Sequence, residues 1–340
     1  MIAFYILLAL LTLWGLSFRK ASDTDYLSRE QGNSVKGFFI LVVFLSHATN
    51  YLIENGHQFT SATDKVYFFM QGNLGQLCVV MFLFFSGYGV MSSIMSKGMP
   101  YVRSIPKHRA LGTLVNFDIA VLIFAVAQLI AGKTFTPVQY LLALTGWESI
   151  GNSNWYIFVI IILYLGSWLS ARIVMSRPGK ADPRMIILIN LLLATVLFAV
   201  LQFTKEPYWF KTIYAYPLGM GFVLLKPRFD ELKGWKWWLA LIASLACLAA
   251  TYPKHQDPFY LVYTIKTISF ALVCVLLLRR IKIGNPVLDW AGKNLFPLYI
   301  YQRLPMIFFP QENPYIFIVA CLAITCLIVP VYNRFLKVRL

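Results

Sequence analysis

The sequence predicts an all-α, polytopic transmembrane bundle of about ten to eleven spans. Three observations carry that expectation: abundant apolar residues, scarce charge, and the alternation of what charge there is. Of 340 residues, 59% are hydrophobic and only 13% are charged, with a mean hydropathy of +0.67. Soluble domains carry about a quarter charged residues. A water-facing surface on a chain this size would need more charge, and lipid removes that need.

Taking roughly 20 apolar residues as one span, candidate helices fall at 1–17, 37–53, 72–95, 114–131, 154–171, 185–203, 210–225, 237–252, 258–278, 287–308 and 315–333. The stretch 1–17 lacks a basic leading region and a small-residue cleavage site, and Arg19-Lys20 follows it directly. It therefore reads as an additional N-terminal span and not as a removed signal. Arg177-Pro178-Gly179, Lys226-Pro227 and Gly284-Asn285-Pro286 punctuate later helix ends, as breakers do. With no long polar stretch and no internal repeat, residues 1–340 form one membrane domain.

The formal charge of +16 would suit a nucleic-acid binder, but its distribution argues against one. One set of connecting segments holds 23 basic residues, among them Lys36, Arg103, Lys107, Arg109, Arg177, Lys180, Arg279 and Arg334. The alternate set holds six: Lys65, Lys133, Lys205, Lys211, Lys254 and Arg303. This asymmetry is a positive-inside signal. It places the N-terminus outside and the C-terminus in the cytoplasm, and it excludes nucleic acid as the partner. The five cysteines (Cys78, Cys247, Cys274, Cys321, Cys326) all lie in apolar spans. Their spacing suits neither zinc nor a disulfide framework, so they read as small core residues, with no metal expected.

Four histidines occur. His57, His108 and His255 fall in expected loops, whereas His47 lies about two thirds of the way across the apolar span 37–53. An ionisable group at that depth is costly and points to function, against the alternative of a neutral imidazole satisfied by a neighbouring helix. Lys36 precedes it by eleven residues, about 1100° of helix or three turns, so both share one face about 16 Å apart. A cation at the cytoplasmic mouth with a base deep on the same face suits a long, phosphate-bearing donor. Lys36 reads equally as a positive-inside anchor.

The Lys36-x10-His47 spacing resembles the Arg-x10-His signature of the acyltransferase 3 family, membrane enzymes that modify surface glycans and related acceptors. Further segments resemble that family in order: Phe84-Phe85-Ser86-Gly87-Tyr88-Gly89; the basic cluster Arg103, Lys107 and Arg109; Trp155-Tyr156 with Tyr164; Tyr216-Pro217-Leu218-Gly219-Met220; and Gly292-Lys293-Asn294-Leu295-Phe296-Pro297-Leu298-Tyr299-Ile300-Tyr301-Gln302. The chain departs from the family pattern at Lys36, where Arg is usual, and at Gln302, where many members have a second His. Ile160 and Ile161 stand where many have a Glu pair.

The resemblance implies a bacterial cytoplasmic-membrane enzyme. It would move an acyl group, acetyl foremost, from cytoplasmic acyl-CoA as co-substrate to a glycan or lipid-linked acceptor, without a tightly bound cofactor. It casts His47 as general base, with Lys36, Arg103, Lys107, Arg109, Ser86 and Tyr88 toward the donor. The extracytoplasmic ends of the spans bring Asn154, Trp155, Tyr156, Gln302 and Arg303 to the acceptor side, with Trp147 and Glu148 nearby. Sugars are held by aromatic faces with amides and carboxylates, but Trp147, Tyr208 and Trp209 read first as an interfacial belt. Lys266 either snorkels or adds a cation to the chamber. Asp118 reads as an ion-pair partner of the basic cluster. A transporter or flippase of a glycan or lipid-linked intermediate is the alternative, and inverted repeats with broken helices would mark it. The acceptor stays open between a capsule or exopolysaccharide sugar, a lipid-linked intermediate, peptidoglycan and a small molecule.

Overall fold

A computed structural model of the chain describes residues 1–20, 22–176, 182–252 and 260–340. Arg177, Lys180, Lys254, His255 and the Arg177-Pro178-Gly179 breaker lie outside the described residues. The helices, in order, are α1 (Ile2–Leu13), α2 (Arg29–Glu54), α3 (Ala62–Leu74), α4 (Leu77–Lys97), α5 (Met99–Ser104), α6 (Gly112–Ile130), α7 (Pro137–Leu144) and α8 (Trp155–Met175). They continue with α9 (Pro183–Thr204), α10 (Ala215–Asp230), α11 (Gly234–Thr251), α12 (Leu261–Leu278), α13 (Pro286–Lys293), α14 (Leu295–Tyr301) and α15 (Pro314–Val331).

Local chemistry explains most of these boundaries. Ser28 caps α2 by accepting from the Gln31 amide, and Ser61 with Asp64 forms a reciprocal capping box on α3. Asn285 and Asn313 cap α13 and α15, each followed by Pro at the first helical position. Such caps satisfy amides that the helix leaves unpaired and contribute about 1 kcal/mol each. Gly75, at φ 32°, divides α3 from α4, and Gly98, at φ 63°, ends α4.

Eight helical stretches among the described residues are long and apolar enough to cross a membrane, which marks a multi-pass membrane protein. Three expected spans take another form. The helix α1 has only 12 residues, about 18 Å of rise against a hydrocarbon core near 30 Å. It packs Tyr5 on Tyr67 of α3. The 210–225 span becomes the 16-residue α10, and 287–308 breaks into α13, α14 and a short 3₁₀ turn. A two-stranded antiparallel pair, Ser17–Phe18 with Ile281–Lys282, ties the loop after α1 to that after α12. That pairing is between distant loops, and local sequence carries no sign of it.

Two close crossings organise the interior. A Cβ on Gly37 of α2 would collide with the Leu288 carbonyl of α13, and one on Gly292 of α13 would collide with the Asn33 carbonyl of α2. In the same reciprocal way, Gly87 of α4 meets the Tyr216 carbonyl of α10, and Gly219 of α10 meets the Phe84 carbonyl of α4. Small residues allow such backbone approach where lipid supplies no hydrophobic drive between helices.

The structure revises four local expectations. His108 and the basic cluster lie on helix and not on a loop: α5 and α6 are joined by a π-helical turn, Ile105–Leu111, that holds Lys107, His108 and Arg109. Asp118 forms no ion pair with that cluster, and its Oδ1 is sealed without a hydrogen bond. Cys247 is exposed on α11, whereas Cys78 and Cys321 are buried, because α11 turns much of its surface to the outside. Trp209 is only 3% exposed, so it forms an inner wall and not part of a lipid-facing belt.

Candidate active site

The helix α2 runs unbroken from Arg29 to Glu54, so Lys36 and His47 do share one face, about 16 Å apart along it. His47 is half-buried. Its Nδ1 is sealed without a hydrogen-bond partner, whereas Nε2 is not sealed. The imidazole ring faces Tyr299 of α14, with centroids 6.4 Å apart. Arg303, just beyond α14, is close enough to act electrostatically on both His47 and Tyr299.

From Tyr299 a line of tyrosines descends through the bundle toward the basic end. Tyr299 meets Tyr156 of α8 edge-on at 5.6 Å, and the Tyr156 hydroxyl is close to Ser86 of α4. Tyr156, Tyr164 and Tyr216 act electrostatically on one another, and the Tyr164 and Tyr216 rings stand 6.2 Å apart. Tyr216 Oη bonds Ser167 Oγ at 2.8 Å, and Asn190 donates to the same oxygen at 3.2 Å. At the foot of the line the Arg109 guanidinium lies 5.8 Å from the Tyr164 ring centroid, with Tyr101 as an electrostatic neighbour. Arg109 is also an electrostatic neighbour of Lys36. Arg109 is exposed although the Tyr164 ring lies beside it. The π-helical turn matters here, because its extra residue per turn alters which way the following side chains point.

The structure thus joins Lys36, Arg109, Ser86, Tyr156, His47 and Arg303 into one connected set. Others stand apart. Arg103 and Lys107 are exposed on the α5–α6 segment. Tyr88 is an electrostatic neighbour of Asp25 and Asp230 and lies close to Ser92. Gln302 is 1% exposed and donates back to the Tyr299 carbonyl at 2.8 Å. Lys266 is 3% exposed and sits in a separate cluster, its Nζ 4.0 Å from the Tyr252 ring centroid.

At the start of α8 a polar pocket of about 410 Å³ opens, lined in part by Trp147, Glu148, Asn154, Gln202, Lys205, Tyr208 and Trp209. Lys205 braces it, bonding the Trp147 carbonyl at 2.7 Å and Glu148 at 2.9 Å, with its ammonium 4.2 Å from Trp147 and 4.8 Å from Trp209. Asn154 donates to the Gly146 carbonyl at 2.9 Å. Tyr208 touches Trp155 at 6.2 Å, and Trp155 touches Tyr156 at 5.9 Å. The pocket is therefore linked through adjoining rings to Tyr299 and His47.

A family model for an acyltransferase domain matches residues 33–333, which takes in every member of this connected set. The chain belongs to the acyltransferase 3 family. No curated protein and no solved structure matches it. The protein is accordingly a multi-pass membrane acyltransferase. Tyr299, Tyr164, Tyr216 and Tyr101 were not among the expected site residues of this acyltransferase, and neither was Lys205. Their signal was available: tyrosine hydroxyls inside apolar spans need partners, so several of them at matching depth imply a shared polar interior.

Proposed function

We propose that the protein transfers an acyl group from acyl-CoA to a hydroxyl of a glycan-type acceptor, with His47 as general base. The observation that carries this reading is the connected line from Lys36 and Arg109 to His47 through an otherwise apolar core. Lys36 and Arg109 together form a cationic mouth suited to nucleotide phosphates. The polar tyrosine line beyond them suits a pantetheine-like arm reaching inward, and the 16 Å rise between Lys36 and His47 matches a donor whose reactive end lies far from its phosphates.

In this reading the acceptor enters by the pocket at Trp147, Tyr208 and Trp209. Aromatic walls there offer faces to a sugar, while Glu148, Gln202 and Asn154 add polar groups. His47 Nε2 takes the acceptor hydroxyl proton as that oxygen attacks the thioester carbonyl. The tetrahedral intermediate collapses by breaking the carbon–sulfur bond, and the imidazolium returns its proton to the departing CoA thiolate. Arg303, acting electrostatically on His47, supplies positive charge toward a developing oxyanion. The charge asymmetry supports a cytoplasmic donor and an extracytoplasmic acceptor, and the family resemblance supports a bacterial cytoplasmic membrane as the setting.

The test is acyl transfer from labelled acetyl-CoA by purified protein in detergent, paired with mass spectrometry of surface glycans from cells with and without the gene. Loss of an acyl mass together with transfer in vitro supports the proposal. Unchanged glycans and no CoA binding by titration would overturn it.

A further inference from the structure

Apart from the His47 line, two lysines converge on one tyrosine. Lys211, on the turn that precedes α10, places its ammonium 5.1 Å from the Tyr263 ring centroid and 5.6 Å from that of Tyr260. Lys266, one turn further along α12, lies 5.7 Å from Tyr263 and 4.0 Å from Tyr252. The Tyr252 hydroxyl is fixed by donating to the Asn73 carbonyl at 3.0 Å, so this wall of the cluster is rigid.

The electrostatics of the pair are one-sided. Lys266 is 3% exposed and Lys211 is half-buried. Among the described residues, the charge that acts on Lys266 is that of Lys211, and no acidic group acts on either. Among the described residues neither ammonium makes a hydrogen bond or an ion pair with a protein acceptor. Removing an ammonium from water is costly unless it is paired, and two like charges beside one ring add repulsion to that cost. Tyrosine faces attract cations but supply no acceptor for the ammonium hydrogens, and an oxyanion held between the two lysines would supply acceptors and negative charge together.

We propose that Lys211 and Lys266, framed by Tyr252 and Tyr263, form a binding site for a phosphate-type anion. The site is independent of the proposed transfer, since none of its residues belongs to the line between Lys36 and His47. Two sources offer the same chemistry: the headgroup of an anionic membrane lipid, or a free phosphate.

The experiment uses the full chain in neutral detergent and follows thermal unfolding. The probes are inorganic phosphate, phosphatidylglycerol and zwitterionic phosphatidylcholine, with chloride at matched ionic strength. Phosphate or phosphatidylglycerol should raise the Tm of the wild type, with chloride and phosphatidylcholine doing far less. Lys211→Met and Lys266→Met should each weaken that response at least tenfold. Lys266→Met should also be no less stable than wild type without the anion, because Met fills the space without a buried charge. A response to phosphatidylglycerol alone identifies a lipid headgroup, and a response to both identifies the free anion as sufficient. An unchanged response in both variants overturns the site, as does an equal effect of chloride. So does a Lys266→Met protein that is destabilised in every buffer yet keeps the full response, since that is the mark of a purely structural cation–π contact. The read-out needs no acyl donor, so failure of the transfer reading and failure of this site are separate results.

Discussion

His47 of α2 and Tyr299 of α14 face one another with ring centroids 6.4 Å apart and planes inclined at 52°. Because Tyr299 also meets Tyr156 at 5.6 Å, this one contact connects the histidine to both ends of the bundle. Toward the basic end the line continues to Arg109, and through Trp155 it continues to the pocket at Trp147 and Trp209. In the proposed transfer, the same contact would make the imidazole the boundary shared by the donor and acceptor routes.

If His47 is the base, His47→Ala should lower acyl transfer by about 10²–10⁴-fold, the usual contribution of general acid–base catalysis. Expression and detergent-solubilised stability should change little. Turnover within twofold of wild type would remove His47 from the chemistry.

The cationic mouth predicts a separation of donor from acceptor effects. Lys36→Ala and Arg109→Ala should each weaken CoA binding about tenfold or more, since a hydrogen bond to a charged group contributes about 1.5–3 kcal/mol. The acceptor requirement should move far less. Titration of CoA into each variant checks this, and unchanged binding in both would mean that these cations serve only topology.

The pocket at the start of α8 predicts the converse. Trp147→Ala removes one aromatic wall and the seat of Lys205, so the acceptor KM should rise about 3–10-fold, as expected for losing an aromatic contact of about 0.5–1.5 kcal/mol. CoA titration should be unaltered. A rise in the donor requirement instead would place the pocket on the wrong route.

The crossing of α4 on α10 predicts a stability contrast between two glycines of one segment. Gly87→Ala would drive a Cβ into the Tyr216 carbonyl, whereas a Cβ at Gly89 meets nothing within 4 Å. Gly87→Ala should therefore cost about 1–3 kcal/mol, the usual penalty of overpacking, and Gly89→Ala should be tolerated. Thermal unfolding of the two variants side by side gives the answer, and equal Tm values would show that the helices part without cost.

Much of this was legible in the residues themselves. A solvent of lipid imposes one rule, internal satisfaction of the backbone, so long apolar runs become helices whatever they pack against. That is why α2, α8, α9, α12 and α15 fall close to their expected places. The Lys36–His47 alignment was equally legible, because it depends only on one continuous helix. The family-like segments could be recognised without their roles: Gly87, Gly219 and Gly292 are crossing points of helices, and that role belongs to packing.

What the one-dimensional pattern could not contain was the pairing of distant elements. The sequence decided the helices, the basic asymmetry and the depth of His47, since each follows from local composition and helical geometry. Only the tertiary structure decided that Arg109 and not Arg103 or Lys107 meets Tyr164, that Tyr299 and not Gln302 faces the imidazole, and that Lys266 joins Lys211 instead of His47. Each of those depends on which helix faces align across the bundle and on a π-helical turn that redirects one side chain, and neither leaves a trace in hydropathy.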